Sequence, residues 1–377
     1  MNNAKNKACK LLYQPLDSRY DEEIRIFQGC PTIAISKGGR IFLGWYSGGW
    51  REPHMENYNL LIYSDDLGKS WSKPVLVIPS SKENKVHALD IQLWKAPDNR
   101  LYMFWVQNNT LLESEVNYDE LDGEGKPLVE VDGYVFNDFE HSEWVSICDD
   151  PDADEIKFSE PRYLDKGFLR CKPLVLDDGR WMNFNYDQNS DRYGYSISED
   201  EGKTYTHYYG GKKIQTMFDE TMAYQRNDGS IRMFARTKLE EIAESISYDG
   251  GKTWTDGQLN GIPNPNTRFY ISKTPSNRVL MINNDHRKER TNMCIYLSDD
   301  DGKTWKYKRC IDTRAHLSYP DVDFYNGRIY LTYDRERGGE AEILFLSFTE
   351  EDIMNDDYAY EIQVVSKPVD KFKERRN

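Results

Sequence analysis

The chain has 377 residues, 38% of them hydrophobic, with 26 Tyr, 15 Phe and 9 Trp, so it carries ample material for a core and is not a disordered chain. Its 49 basic and 64 acidic residues leave a net charge of −15, which argues against nucleic acid or an anionic membrane as partner. No run approaches the ~20 apolar residues that cross a bilayer, and the first residues lack the apolar stretch of a secretory leader, so a cytoplasmic location is expected. The six cysteines are scattered, with no metal-ligand spacing, and are expected to be reduced and buried.

In chain order, one pattern recurs six times: a polar turn ending in Arg or Ser, set between two apolar runs. The copies end at Arg40, Arg100, Arg180, Ser230, Arg278 and Arg328, at intervals of 60, 80, 50, 48 and 50 residues. The runs that follow are IFLGWY, LYMFWV, WMNFNY, IRMFAR, VLMINN and IYLTYD. Strand, tight turn and strand predict a hairpin. Between hairpins lies Ser-x-Asp-x-Gly-x-Thr-Trp, the Asp box, opening at Ser64, Ser198, Ser247 and Ser298. Its Asp caps backbone N–H groups, its Gly takes positive φ and its aromatic residue packs inward, so the boxes build turns and are not catalytic acids.

The alternation of the two motifs predicts four-stranded blades, six of which close an all-β propeller. In the second unit the third and fourth strands are expected near EWVSI and FSEP, with Cys148–Asp154 as an eroded box. The 80-residue interval holds an acidic, Gly-rich insertion at about 109–139, read as a surface loop or added hairpin. EILFLSF supplies a last strand, and Thr349-Glu-Glu-Asp352 caps a short helix. Residues 1–377 are read as a single domain.

In a propeller the first strand of each blade lines the central funnel, so residues equally far ahead of each turn converge on the axis. Ten positions before the last turn residue stand Cys30, Asp90, Arg170, Glu220, Arg268 and Ser318, with Tyr319 next to the last. Loops at the same face add Arg51, His54 and Glu56, then Arg236, then Asp285, His286 and Arg290, then Asp334. An arginine-rich basin on an acidic protein selects a small anion such as a carboxylate. A polar funnel filled with water and salt bridges is the bland alternative.

With these motifs in place the sequence resembles the sialidase (neuraminidase) superfamily over nearly its whole length. The resemblance implies an exo-acting, retaining glycoside hydrolase that releases a terminal acidic sugar, sialic acid or a relative. It implies that Tyr319 in Ser318-Tyr-Pro-Asp321 is the nucleophile, with Glu220 as its base and Asp90 beside a sugar hydroxyl. Arg236 and Arg290 match the second and third of the family's three carboxylate-binding arginines. The first blade departs from the family: Gly29-Cys30-Pro31 stands where Arg-Ile-Pro is usual, leaving Arg25, Arg170 or Arg268 to supply the first arginine. The acid/base Asp is also missing, and the loop from Ser47 to Asn57 offers Glu52, His54 or Glu56, of which Glu56 is taken. Arg51 and His286 complete the expected substrate contacts. Two further readings stay open. One is a hydrolase or lyase acting on a uronic-type sugar through His54, His87 or His286; the other is a glycan-binding propeller without catalysis. No metal or cofactor is called for.

Overall fold

The computed structural model describes residues 7–116, 128–214, 216 and 218–368. Its six large sheets are antiparallel blades of four main strands, each running from the axis outwards, and Phe168–Leu169 with Asn185–Tyr186 make a further two-stranded sheet. Blade 1 is Gln28–Ile35, Ile41–Ser47, Tyr58–Ser64 and Leu76–Pro79, with Leu12–Tyr13 added at its rim; blade 2 is Val86–Lys95, Leu101–Leu112, Tyr134–Cys148 and Arg162–Lys166. Blade 3 is Leu174–Val175, Trp181–Asn183, Arg192–Ser198 and Thr206–Lys212, and blade 4 is Met222–Gln225, Ile231–Ala235, Glu241–Ser247 and Gln258–Pro263. Blade 5 is Tyr270–Lys273, Val279–Asn284, Met293–Ser298 and Tyr307–Asp312; blade 6 is Leu317–Tyr325, Arg328–Arg335, Glu342–Phe348 and Gln363–Ser366.

Apolar side chains fill the space between neighbouring blades, as where Trp94 of blade 2 meets Trp181 of blade 3 edge to face at 4.8 Å. The four Asp boxes share one bonding scheme. In the first, Ser64 Oγ donates to Asp66 Oδ1 (2.7 Å) and accepts from Gly68 N (2.8 Å), while Ser70 N and Oγ donate to the two Asp66 oxygens. These bonds hold Asp66, Asp200, Asp249 and Asp300 at a pKa of about 2, led in each case by the hydroxyl of the Ser or Thr four residues on. The box acids therefore spend their oxygens on their own turns.

Ring closure falls between blades 1 and 6. Side chains join their inner strands: Asp321 Oδ2 accepts from Thr32 Oγ1 (2.8 Å) and Ile33 N (2.9 Å), and Asp323 Oδ2 accepts from Ile35 N (2.7 Å). The short helix Glu350–Met354 has the expected capping box on Thr349 and Asp352. Among the described residues no helix is long and apolar enough to cross a membrane.

Three expectations are corrected. EILFLSF forms the third strand of blade 6, and Gln363–Ser366, reached after the helix, is the fourth. The fourth strand of blade 2 is Arg162–Lys166, paired with Ser142–Val145, and not FSEP. Cys294 and Cys310, directly opposite on neighbouring strands of blade 5, form a disulfide, while Cys9, Cys30, Cys148 and Cys171 are free and buried. The insertion adds Leu128–Val131 as a hairpin partner of Tyr134–Asn137 and lengthens the strands beside it; residues 117–127 lie outside the described residues.

Candidate functional site

Four of the converging positions share an unusual backbone. Cys30, Asp90, Glu220 and Tyr319 have φ of 55, 57, 41 and 56°, in the left-handed region that a side chain disfavours by about 1–3 kcal/mol. Three of them sit where the ladder between first and second strands slips, at Gly29/Thr32, Leu89/Gln92 and Ser318/Asp321. A bulge of this kind re-aims one side chain. Here it turns the same position of separate blades towards the axis.

Tyr319 Oη donates to Glu220 Oε1 at 2.5 Å, and Arg236 Nη1 donates to Glu220 Oε2 at 2.7 Å and to Tyr319 Oη at 3.4 Å. Burial raises the Glu220 carboxyl, but the charges of Arg236 and Arg170 outweigh it and leave its pKa below the usual glutamate value. Burial, reinforced by the Glu220 charge, pushes the Tyr319 phenol above the ordinary tyrosine range. The pair is therefore a neutral phenol bonded to a carboxylate, which is the arrangement a base-assisted phenol needs. Beneath it Phe168 and Tyr186 stack at 5.0 Å and pack with Phe27, Cys30 and Tyr319 in one apolar floor.

Arg170 lies 5.1 Å from the centre of the Tyr319 ring, with Nη1 3.3 Å from Asp90 Oδ1 and Nε 3.9 Å from Glu220 Oε1. Among the described residues neither Asp90 Oδ1 nor the Arg170 Nη atoms, all buried, makes a hydrogen bond, so the two meet as charges without an aligned bond. Burial raises the Asp90 carboxyl, and Arg170 only partly offsets it. Arg268 lies deeper: its Nη2 approaches Asp321 Oδ1 (3.4 Å) and Gln92 Oε1 (3.3 Å), which ties it to the ring closure. Arg290 donates to the Asn266 carbonyl (3.0 Å). Burial lowers its pKa, followed by the like charge of Arg337, with Arg236 adding to both. Arg170 and Arg268 thus approach the face of the Tyr319 ring, at 5.1 and 6.0 Å, and Arg236 its hydroxyl.

The other expected residues lie elsewhere. Arg25 is buried against Trp45, donating to the Tyr20 carbonyl (2.9 Å) and Ser366 Oγ (3.2 Å), so it fastens the chain's beginning to the last strand. Arg51 rests on Trp50 at 5.5 Å and donates to the Glu52 carbonyl. Glu56 is exposed, pairs with Lys82 (3.4 Å) and lines a neighbouring cavity with Arg19, Trp50 and Met55. His286 Nδ1 accepts from the backbone N–H groups of Lys288 and Glu289 and so braces its own loop. His87 is fully buried between Tyr46 Oη (2.7 Å) and Asn57, and burial pushes its imidazole down to about 3, which keeps it neutral. His54 Nε2 is bonded to Asp132 at 2.7 Å.

Two further residues stand at the pocket. Glu52, on the loop named from sequence, has Oε2 3.5 Å from Arg337 Nη1. Arg337, which the strand-start count does not reach, lies over the Tyr319 ring at 4.0 Å. The signal for Arg337 was its place just past Asp334, in Arg335-Glu-Arg337-Gly-Gly, on a loop already assigned to the right face.

Residues 146–331 match the BNR repeat-like domain family. An anhydrosialidase from Macrobdella decora is 27% identical over an alignment of 177 residues that covers 42% of this chain and only 23% of that protein. Among solved structures, the NanB sialidase of Streptococcus pneumoniae superposes with a TM-score of 0.68 at 16% identity, covering 92% of this chain and 71% of that one. The intramolecular trans-sialidase of Ruminococcus gnavus, in complex with oseltamivir carboxylate, gives 0.66 at 15% identity, covering 92% and 98%. The family match covers blades 3 to 5 and parts of their neighbours, while the structural matches cover the ring as a whole. By repeat, box and ring, the chain is a six-bladed Asp-box propeller that shares its fold with the solved sialidases and is similar to the BNR repeat-like domain family over residues 146–331.

Proposed function

We propose that the protein is an exo-acting glycoside hydrolase of sialidase type, removing a terminal acidic sugar with retention at the anomeric carbon. The observation that carries the reading is the 2.5 Å bond from Tyr319 Oη to Glu220 Oε1, with the guanidinium groups of Arg236, Arg290 and Arg337 close by. A sugar whose anomeric carbon bears a carboxylate repels an anionic nucleophile. A neutral phenol approaches it without that penalty, and Glu220 takes the phenolic proton as the bond to carbon forms. The glycosidic oxygen leaves with a proton from Glu52, which replaces Glu56 in this role. Water then attacks the tyrosyl intermediate, gives its proton to Glu52, and the phenolate recovers its own from Glu220. Arg236 and Arg290 hold the carboxylate throughout, and Asp90 with Arg170 offers unsaturated polar atoms to a ring hydroxyl. The sialidase and anhydrosialidase likenesses support the class of substrate.

Turnover of a fluorogenic sialoside, its deaminated analogue and a uronide by wild type, Tyr319→Phe and Glu52→Gln tests the reading. The phenylalanine variant is expected to lose at least about 10²-fold in kcat at unchanged fold. Glu52→Gln should spare substrates whose leaving group needs no proton. Equal turnover by wild type and Tyr319→Phe would remove the nucleophile, and absorbance from unsaturated products would favour a lyase instead.

A further inference from the structure

We propose that Arg337, carried by the turn after the second strand of blade 6, is the third guanidinium of the carboxylate clamp. It enters the pocket through a notch that exists only because residue 29 is glycine. The proposal rests on the reading above that an acidic sugar is the ligand, and it assigns the recognition of its charge to a residue from the opposite end of the chain.

The notch is seen at Gly29. A Cβ built there would stand 2.5 Å from both Cγ and Cδ of Arg337 and 2.8 Å from its Nε. The backbone at Gly29 is not in the left-handed region, so nothing in its conformation calls for glycine. What calls for it is space: the stem of Arg337 lies where any side chain of residue 29 would begin. The turn is also anchored to this strand, since Gln28 N donates to the Arg337 carbonyl at 3.3 Å. The missing side chain of blade 1 and the added side chain of blade 6 are two halves of one exchange.

The head group is fixed before any ligand arrives. Arg337 Nε donates to Asp334 Oδ2 at 3.0 Å, its Nη2 approaches Ser318 Oγ at 3.4 Å, and its Nη1 faces Glu52 at 3.5 Å. Asp334 is itself buried and committed, accepting from Cys30 N and from Ser318 Oγ, both at 2.6 Å. It is a positioning residue for the arginine. A guanidinium has five N–H groups, and these contacts leave an N–H on each Nη of Arg337 for a ligand. Its neighbour Arg290 has a backbone carbonyl as its acceptor and is disfavoured by the Arg337 charge. Glu220 occupies one Nη of Arg236, and Asp334 and Glu52 flank Arg337, yet no carboxylate pairs with Arg290 among the described residues. A planar anion placed between Arg290 and Arg337 relieves that repulsion and takes bidentate bonds from both.

The test relocates the arginine. Binding of a 2,3-unsaturated sialic acid and of its methyl ester is measured by calorimetry for wild type, Arg337→Gln, Gly29→Arg and the double variant Gly29→Arg/Arg337→Gly. Thermal unfolding of each variant separates lost binding from lost fold. We expect wild type to prefer the acid, and Arg337→Gln to weaken the acid by about 10²-fold while leaving the ester within a few-fold. Gly29→Arg alone should fail to bind or to fold, because both stems claim one space, whereas the double variant should regain at least tenfold for the acid over Arg337→Gln. If wild type prefers the acid and Arg337→Gln keeps that preference, the assignment of Arg337 is wrong and the acidic-sugar reading stands. If wild type binds neither acid nor ester, both fall together.

Discussion

Both side-chain oxygens of Glu143, on the third strand of blade 2, are buried without a hydrogen-bond partner among the described residues. Tyr163, Tyr205 and Asp165 are close enough to sense its charge. Burial, then the Asp165 charge, pushes its carboxyl well above the ordinary value of 4.5. A raised folded pKa means that the stability linked to this group is full below that ordinary value and is lost as pH rises towards the folded one. Glu143→Gln should therefore be more stable than wild type at neutral pH, by about 1–3 kcal/mol, with the gap closing below about pH 4.5. Melting curves of both proteins across pH 4 to 8 check this, and a gap independent of pH would contradict it. Single residues were legible in sequence where one repeat aligned with another: counting back from the turns reached Asp90, Glu220 and the neighbour of Tyr319. The same count is blind to Arg337, because what admits it is an atom that residue 29 lacks, and complementarity between chain ends leaves no periodic trace. Arg25 was misplaced for the converse reason: closeness in sequence to the vacant position did not bring its side chain to the pocket.

At the scale of elements, the Asp box couples a turn to packing, and its glycine answers to both. Gly68 has φ of +90°, and a Cβ there would stand 2.4 Å from the Phe345 ring of blade 6. Gly68→Ala should thus destabilise the protein by about 1–3 kcal/mol, part from backbone strain and part from overpacking. Because Phe345 spans the closure, the loss should appear as faster hydrogen exchange in blades 1 and 6 with blades 3 and 4 unchanged; uniform loss over all blades would mean that the contact is not local. The four boxes and the hairpin turns could be read in advance because short-range bonds fix them. Blade 2 resisted for the same reason in reverse. Its eroded box keeps a weaker internal cap, Asp152 N donating to Asp150 Oδ1 at 3.2 Å, while the Asp152 carboxylate accepts from Gly38 N of blade 1 at 3.0 Å, with a further short bond from Ser36 Oγ. With that local constraint weakened, the chain runs past FSEP before rejoining the ladder at Arg162.

For the whole molecule, two fields of opposite sign act on an anionic ligand. The net charge of −15 repels it from afar, while Arg236, Arg290 and Arg337 attract it within the pocket. These have different ranges: at about 0.15 M salt, charges beyond ~8 Å of water are largely screened, but buried groups in contact are not. Salt therefore removes the repulsion first. The association rate of a carboxylate-bearing ligand should rise, by up to about threefold, between 10 and 150 mM salt, while its dissociation rate changes little. A neutral ester of the same sugar should show no such rise. Stopped-flow fluorescence on both ligands across that range measures it. If the acid instead associates more slowly as salt is added, the positive field of the arginines reaches beyond the mouth of the funnel and steers the ligand inwards. The ring would then do more than bring distant side chains together: it would focus their charge against that of the protein as a whole.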